Sequence, residues 1–159
     1  MTNIKSLEEA FVATSAVLTG YDRAELYATG CVEEYLHQFR QVVPEEILEA
    51  FLEPGPALYA DRFGAADDVE QEVRRYYLSD GMLGPPARSL IQLWYLGQWA
   101  PLPDKWRNLY GASRFDVTRI ISARAYKEGL VWDAIGAHPM GAKQQGFGAW
   151  ATEPPKPKE

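Results

Sequence analysis

The sequence predicts an all-α protein: a single-domain bundle of about five to six helices, closed by an extended C-terminal tail. Three observations carry that expectation. Apolar residues recur at spacings of three and four through most of the first 136 positions, no segment alternates well enough to define a strand, and glycines and prolines crowd the last 23 positions. A chain of 159 residues with 47% apolar content is the size of one domain and can bury a core without disulfides or metals.

The first helix reads from Ser6, which with Glu9 has the form of a capping box, through Leu7, Ala10, Phe11, Thr14 and Leu18 to a stop at Thr19-Gly20. A second helix is expected from Asp22 to about Val43. Its apolar face is Leu26, Gly30 or Cys31, Val32, Tyr35, Leu36 and Phe39, with Gly30 a weak point worth about 1 kcal/mol against Ala. Pro44 fits the first turn of a third helix, with Glu45 and Glu46 at its positive end and Ile47, Leu48, Phe51 and Leu52 on its apolar side. Pro54-Gly55-Pro56 breaks the pattern, and a loop is expected through Gly64.

Asp67 with Glu70 reads as a cap for a helix bearing Val69, Val73, Tyr76 and Tyr77. After a turn from Gly81 to Pro86 comes the most apolar segment, Leu90 to Leu96, ending near Trp99. Apolar nearly all round, it is expected at the centre of the bundle or covered on two sides. Residues 101–115 form an aromatic-rich connector. Asp116 is expected to cap a last helix through Ile120, Ile121, Tyr126, Leu130, Val131, Trp132 and Ile135 to Gly136.

Charge and cysteine content narrow the function. A net charge of −6 argues against nucleic acid and against an anionic membrane surface. The charge is uneven: residues 1–80 carry 16 acids and 6 bases, residues 81–159 carry 6 acids and 10 bases. No stretch approaches the ~20 apolar residues of a membrane span. Cys31 is the lone cysteine and reads as a small buried thiol.

A catalytic set is hard to assemble. His37 and His138 lie about 100 positions apart, no metal-ligand spacing occurs, and Gly141, Gly146 and Gly148 do not match a phosphate loop. Tyr126, Lys127 and Glu128 stand together but read as part of an amphipathic helix, with the two charges solvated and the aromatic ring packed inward. The tail is more informative. His138 to Glu159 combines glycines, prolines and the large rings of Phe147 and Trp150. Such a segment gains little by folding on itself and more by inserting its rings into pockets of a partner. Trp94 and Tyr95 point about 100° apart on their helix, so one of them is free to reach that partner.

Three segments, in order along the chain, resemble the small accessory subunit of flavin-dependent sugar and polyol dehydrogenase complexes. This family covers the small subunits of fructose, sorbitol and glucose dehydrogenases and the gluconate 2-dehydrogenase subunit 3 type. The segments are Phe11 to Gly20, ending Leu-Thr-Gly; Leu90 to Gly97, similar to the family's Ala-Trp-Tyr-x-Gly helix; and Tyr126 to Trp132 followed, after a loop, by Gly146 to Pro154.

The resemblance implies a non-catalytic chain with no cofactor of its own. The FAD would sit on a catalytic flavoprotein of the glucose–methanol–choline oxidoreductase type, often with a cytochrome c subunit as electron acceptor. The small chain would assist folding of that flavoprotein, with Trp94, Tyr95, Phe147, Trp150 and Pro154 as candidate contacts. It also implies a periplasmic location reached through a twin-arginine leader. None stands at the start of this sequence, so a trimmed leader, a signal on the partner and a cytoplasmic assembly are all open. Two other classes stay in view: a stand-alone helical ligand-binding or interaction module, and a small hydrolase or isomerase using Lys127, Glu128 or His138.

Overall fold

In the computed structural model, which describes residues 4–62 and 66–142, the chain is predominantly helical, as its periodicity predicts. Helix α1 spans Ile4–Thr19 and forms the axis of the fold. Residues 11–16 are buried on every side, and α2 (Arg23–Ala28), α3 (Val32–Val42), α4 (Glu45–Leu52), α5 (Gly55–Asp61), α6 (Ala66–Val73) and α7 (Gly84–Leu96) all pack against it. The Leu90 segment is covered on more than one side, by α1 and by the chain that follows α7, while the most central position belongs to α1. Helix α7 lies beside it, with Leu90, Leu93 and Trp94 enclosed and Leu96 exposed. Because α1 begins at Ile4, Ser6 sits inside the helix rather than at its cap.

The expected second helix is two. Leu26 starts a bend in which the Thr29 hydroxyl donates to the Leu26 carbonyl and Gly30 takes a φ of +69°, a left-handed conformation that ends α2. The Cys31 amide donates to Thr29 Oγ1 as α3 begins. The start of α2 carries the capping box: the Ala24 amide donates to Asp22 Oδ1 and the Asp22 amide to Glu25 Oε2.

Pro54-Gly55-Pro56 does not leave a loop either. It opens α5, with proline in the first turn, where no amide donor is missed. Gly55 is required there, because a Cβ would lie 1.9 Å from Thr14 Oγ1 on α1. Helix α6 starts at Ala66, so Asp67 falls in its first turn and not at its cap. It runs into a π-helical turn over Arg74–Leu78, where the Ser79 amide reaches back five residues to the Arg74 carbonyl. That turn brings Tyr77 inward, where its hydroxyl donates to the Phe51 carbonyl at 2.8 Å.

Past α7 the chain departs furthest from expectation. Trp99 belongs not to the helix but to a two-residue strand, β1 (Gln98–Trp99), paired antiparallel with β2 (Arg119–Ile120). The connector folds a short helix, α8 (Asp104–Tyr110). The expected last helix is two short ones, α9 (Ala123–Lys127) and α10 (Leu130–Ala134), separated at Gly129. A Cβ at Gly129 would lie 2.7 Å from the Tyr95 carbonyl oxygen, so the glycine admits close approach to α7. The core is a continuous aromatic stack. Phe39 packs on Phe11, Phe51 and Trp99, Phe51 on Tyr77, and Trp94 edge-on to Tyr35 at 4.7 Å.

Candidate interaction surface

The C-terminal end of α7 is where the last elements converge. Gly97, at a φ of +65°, caps the helix, and its amide donates to the Leu93 carbonyl. Its own carbonyl accepts the Ile121 amide at 3.0 Å, which sets β2 beside β1. A Cβ on Gly97 would stand 2.3 Å from the Ala125 carbonyl oxygen, so α9 presses directly on the helix end. Helix α10 packs on α7 from the other side. Tyr21 ties this end to the start of α2: its hydroxyl lies 3.3 Å from both the Leu130 carbonyl and Asp133 Oδ2, and burial, followed by the Asp133 charge, raises its pKa.

The sequence candidates fall into three groups here. Trp94 is fully enclosed against Tyr35 and Phe11, so it is a core residue and presents nothing to a partner. The geometry assigns the inward direction to Trp94 and the outward one to Tyr95. Tyr95 is half-buried, edge-on to Tyr21 at 6.1 Å, with its hydroxyl donating to the Thr19 carbonyl. Phe147, Trp150 and Pro154 lie outside the described residues.

From the end of α7 onward several large apolar side chains face solvent. Leu96 closes α7, Ile120 lies on β2, Ile135 follows α10, and Met140, 80% exposed, lies within the segment read as the tail. Periodicity alone did not single them out, because the single helix expected for 116–136 would have turned Ile120 and Ile135 inward. The chain remains fastened to the body up to this point, with Pro139 and Ala142 buried.

Among the concavities of the described residues, two have a lining that bears on function. An apolar groove of about 630 Å³ runs between the C-terminal half of α1 and the α6–π segment, with Val17, Val69, Val73 and Leu78 in its wall. Its two guanidinium groups are engaged, Arg62 with Asp22 and Arg74 with Glu70 at 2.6 Å. The Ala24 amide, and beside it the Arg62 charge, hold the Asp22 carboxyl below its usual range. A charged cleft of about 490 Å³ gathers Glu8, Glu33, Glu34, His37, Arg40 and Arg124. Among the described residues no group of three or more His, Cys, Asp or Glu side chains is placed to hold a metal ion, and no helix is long and apolar enough to cross a membrane.

Of the residues considered for chemistry, His37, Lys127 and His138 are exposed. Tyr126 packs edge-on to Trp132, whose indole donates to the Tyr126 carbonyl. Cys31 is buried, and burial pushes its thiol up to about 11. No protein-family model, no curated protein and no solved structure matches this chain.

Proposed function

We propose that this chain is the non-catalytic small subunit of a flavin-dependent sugar dehydrogenase complex, which stabilises the FAD-binding catalytic chain and assists its folding. The observation that carries the reading is a set of exposed apolar side chains, Leu96, Ile120, Ile135 and Met140, on the last described elements of the chain, ahead of Phe147 and Trp150 in the sequence. Unpartnered apolar surface next to an aromatic, proline-rich terminus is the composition of a docking face. In the assembly the partner holds the FAD in a glucose–methanol–choline type fold, a cytochrome c subunit takes the electrons, and the periplasm is the compartment. Each of these rests on the resemblance of the three ordered segments.

The test is co-expression with the catalytic flavoprotein. The expected result is that this chain raises the yield of soluble, yellow flavoprotein and co-purifies with it, whereas the chain alone is colourless. Deleting residues 143–159 is expected to abolish both effects and to leave the body folded. A catalytic chain equally stable and active without this polypeptide refutes the proposal. The α1–α6 groove favours one second reading, a stand-alone module that binds an apolar ligand. A monomer that keeps its fold without the tail and binds an apolar fluorophore, with binding abolished by polar substitutions at Val69 and Val73, would support it instead.

A further inference from the structure

Segment 111–122, between α8 and α9, has an inner and an outer side of opposite character. Its inner side is pinned by buried polar groups. Gln38, fully buried on α3, donates through Nε2 to the Phe115 carbonyl at 3.2 Å and accepts from Arg119 Nη2 at 2.9 Å. Asp116, 1% exposed, accepts from the Trp99 indole at 2.8 Å and from the Leu102 amide at 3.1 Å. Its outer side is apolar and cationic. Val117 and Ile120 are 51% and 58% exposed, and Arg114 and Arg119 are exposed beside them.

The exposed charge of the segment has one sign. From Gly111 to Ser122 the chain carries Arg114 and Arg119, and its one acid is the buried Asp116. This runs against the protein as a whole, whose net charge is −6. A loop held rigid from within and left apolar outside has already met the ordering cost of binding. Arginines flanking exposed aliphatic side chains are the composition that protein interfaces favour.

We propose that Arg114, Val117 and Arg119 carry the docking face beyond Ile120 as a second, preformed contact surface that docks on an acidic patch of the partner protein bearing an apolar centre. The inference rests on the reading of this chain as a subunit. Val117 and Ile120 supply the desolvated middle of the contact, and the two guanidinium groups steer association and fix register against carboxylates. Gln38 and Asp116 act through the loop, as positioning residues.

The experiment measures association and dissociation rates of the complex with the co-expressed flavoprotein at low and high salt, for wild type, R114E/R119E, Ile120→Ser and the 143–159 deletion, each checked for native helicity. R114E/R119E is expected to slow association at least about tenfold at low salt and to flatten the salt dependence. Ile120→Ser is expected to speed dissociation with little change in association. Wild-type rates and salt dependence in R114E/R119E, with the tail deletion still releasing the flavoprotein, overturn the second surface and leave the subunit reading standing. Failure of the wild-type chain to hold the flavoprotein overturns both. Wild-type binding to phosphatidylglycerol vesicles that R114E/R119E abolishes assigns the patch to a lipid surface and overturns the protein-docking proposal.

Discussion

Replacing Asp116 by alanine removes the acceptor that two buried donors share. The Trp99 indole and the Leu102 amide would each be left without a partner in a site with no access to water. An orphaned buried donor costs roughly 1–3 kcal/mol, so the pair costs about 2–6 kcal/mol. Relief of the buried carboxylate's own desolvation offsets part of this. Arg107 Nη1, 3.9 Å away, is too distant to supply much compensation in the native state. A net loss of about 3 kcal/mol is expected, which for a domain of this size lowers Tm by roughly 6–12 °C. Asp116→Asn keeps one carbonyl oxygen for the indole and is expected to lose about half as much. Urea unfolding followed by tryptophan fluorescence reads the effect, since Trp99 is itself at the site. A Tm within 2 °C of wild type for the alanine variant, a shift of under about 1 kcal/mol, would refute the assignment of Asp116 as the anchor of β1 and segment 111–122.

Other expectations follow from single contacts. Gly55→Ala places a Cβ where Thr14 already stands, 3.0 Å even from its Cα, and is expected to cost about 1–3 kcal/mol in chemical denaturation. Trp94→Ala is expected to cost about 3–5 kcal/mol of stability, as a core truncation does, without a separate effect on partner affinity once folding is corrected for. Trp150→Ala is expected to do the reverse, leaving Tm unchanged and weakening the complex about thirtyfold or more by titration. Stability should also fall in alkali. Burial pushes the Cys31 thiol up from an ordinary 9.0 to about 11, so its contribution is whole below pH 9 and is lost as pH rises toward 11. The raised Tyr35 and Tyr77 hydroxyls act in the same direction, burial being the main cause for both. Denaturation midpoints between pH 8 and 11 check the sign, and slow reaction of Cys31 with a thiol reagent in the native protein checks its burial.

The helical class was legible because Phe11, Phe39, Phe51 and Leu90 recur at helical spacing and are the residues that build the core. The breaks were not. Gly30 read as a mild defect within a helix, because propensity does not say that a turn needs a left-handed φ there, and Gly129 drew no notice although the Tyr95 carbonyl leaves no room for a Cβ. Pro54-Gly55-Pro56 was read as a breaker, although proline in a first turn is a start signal when a following stretch can pack, as Leu58 does. Asp116 looked like a cap by its position. Its true partners, Trp99 and Leu102, lie 17 and 14 residues back, and no local pattern carries that information. Trp94 and Tyr95 were read as diverging, and only the packing of Tyr35 and Phe11 shows that Trp94 is the enclosed ring, with Tyr95 on Tyr21 at the edge of the core. The exposed apolar residues around α7 became visible only with the short ribbon that sets Ile120 outward.

The placement of α1 at the axis of the fold bears on how the protein is made. This helix leaves the ribosome before the elements that enclose it, and cover for its far side arrives only when the chain from Thr19 to Leu96 has been synthesised. At about 5–20 residues per second that interval lasts roughly 4–15 s. For that time a helix with Phe11, Val12, Ala13 and Ala16 looking in several directions has nothing of its own to lean on. Newborn copies are therefore expected to depend on a holding chaperone, or on early capture by whatever they assemble with, far more than the finished molecule does.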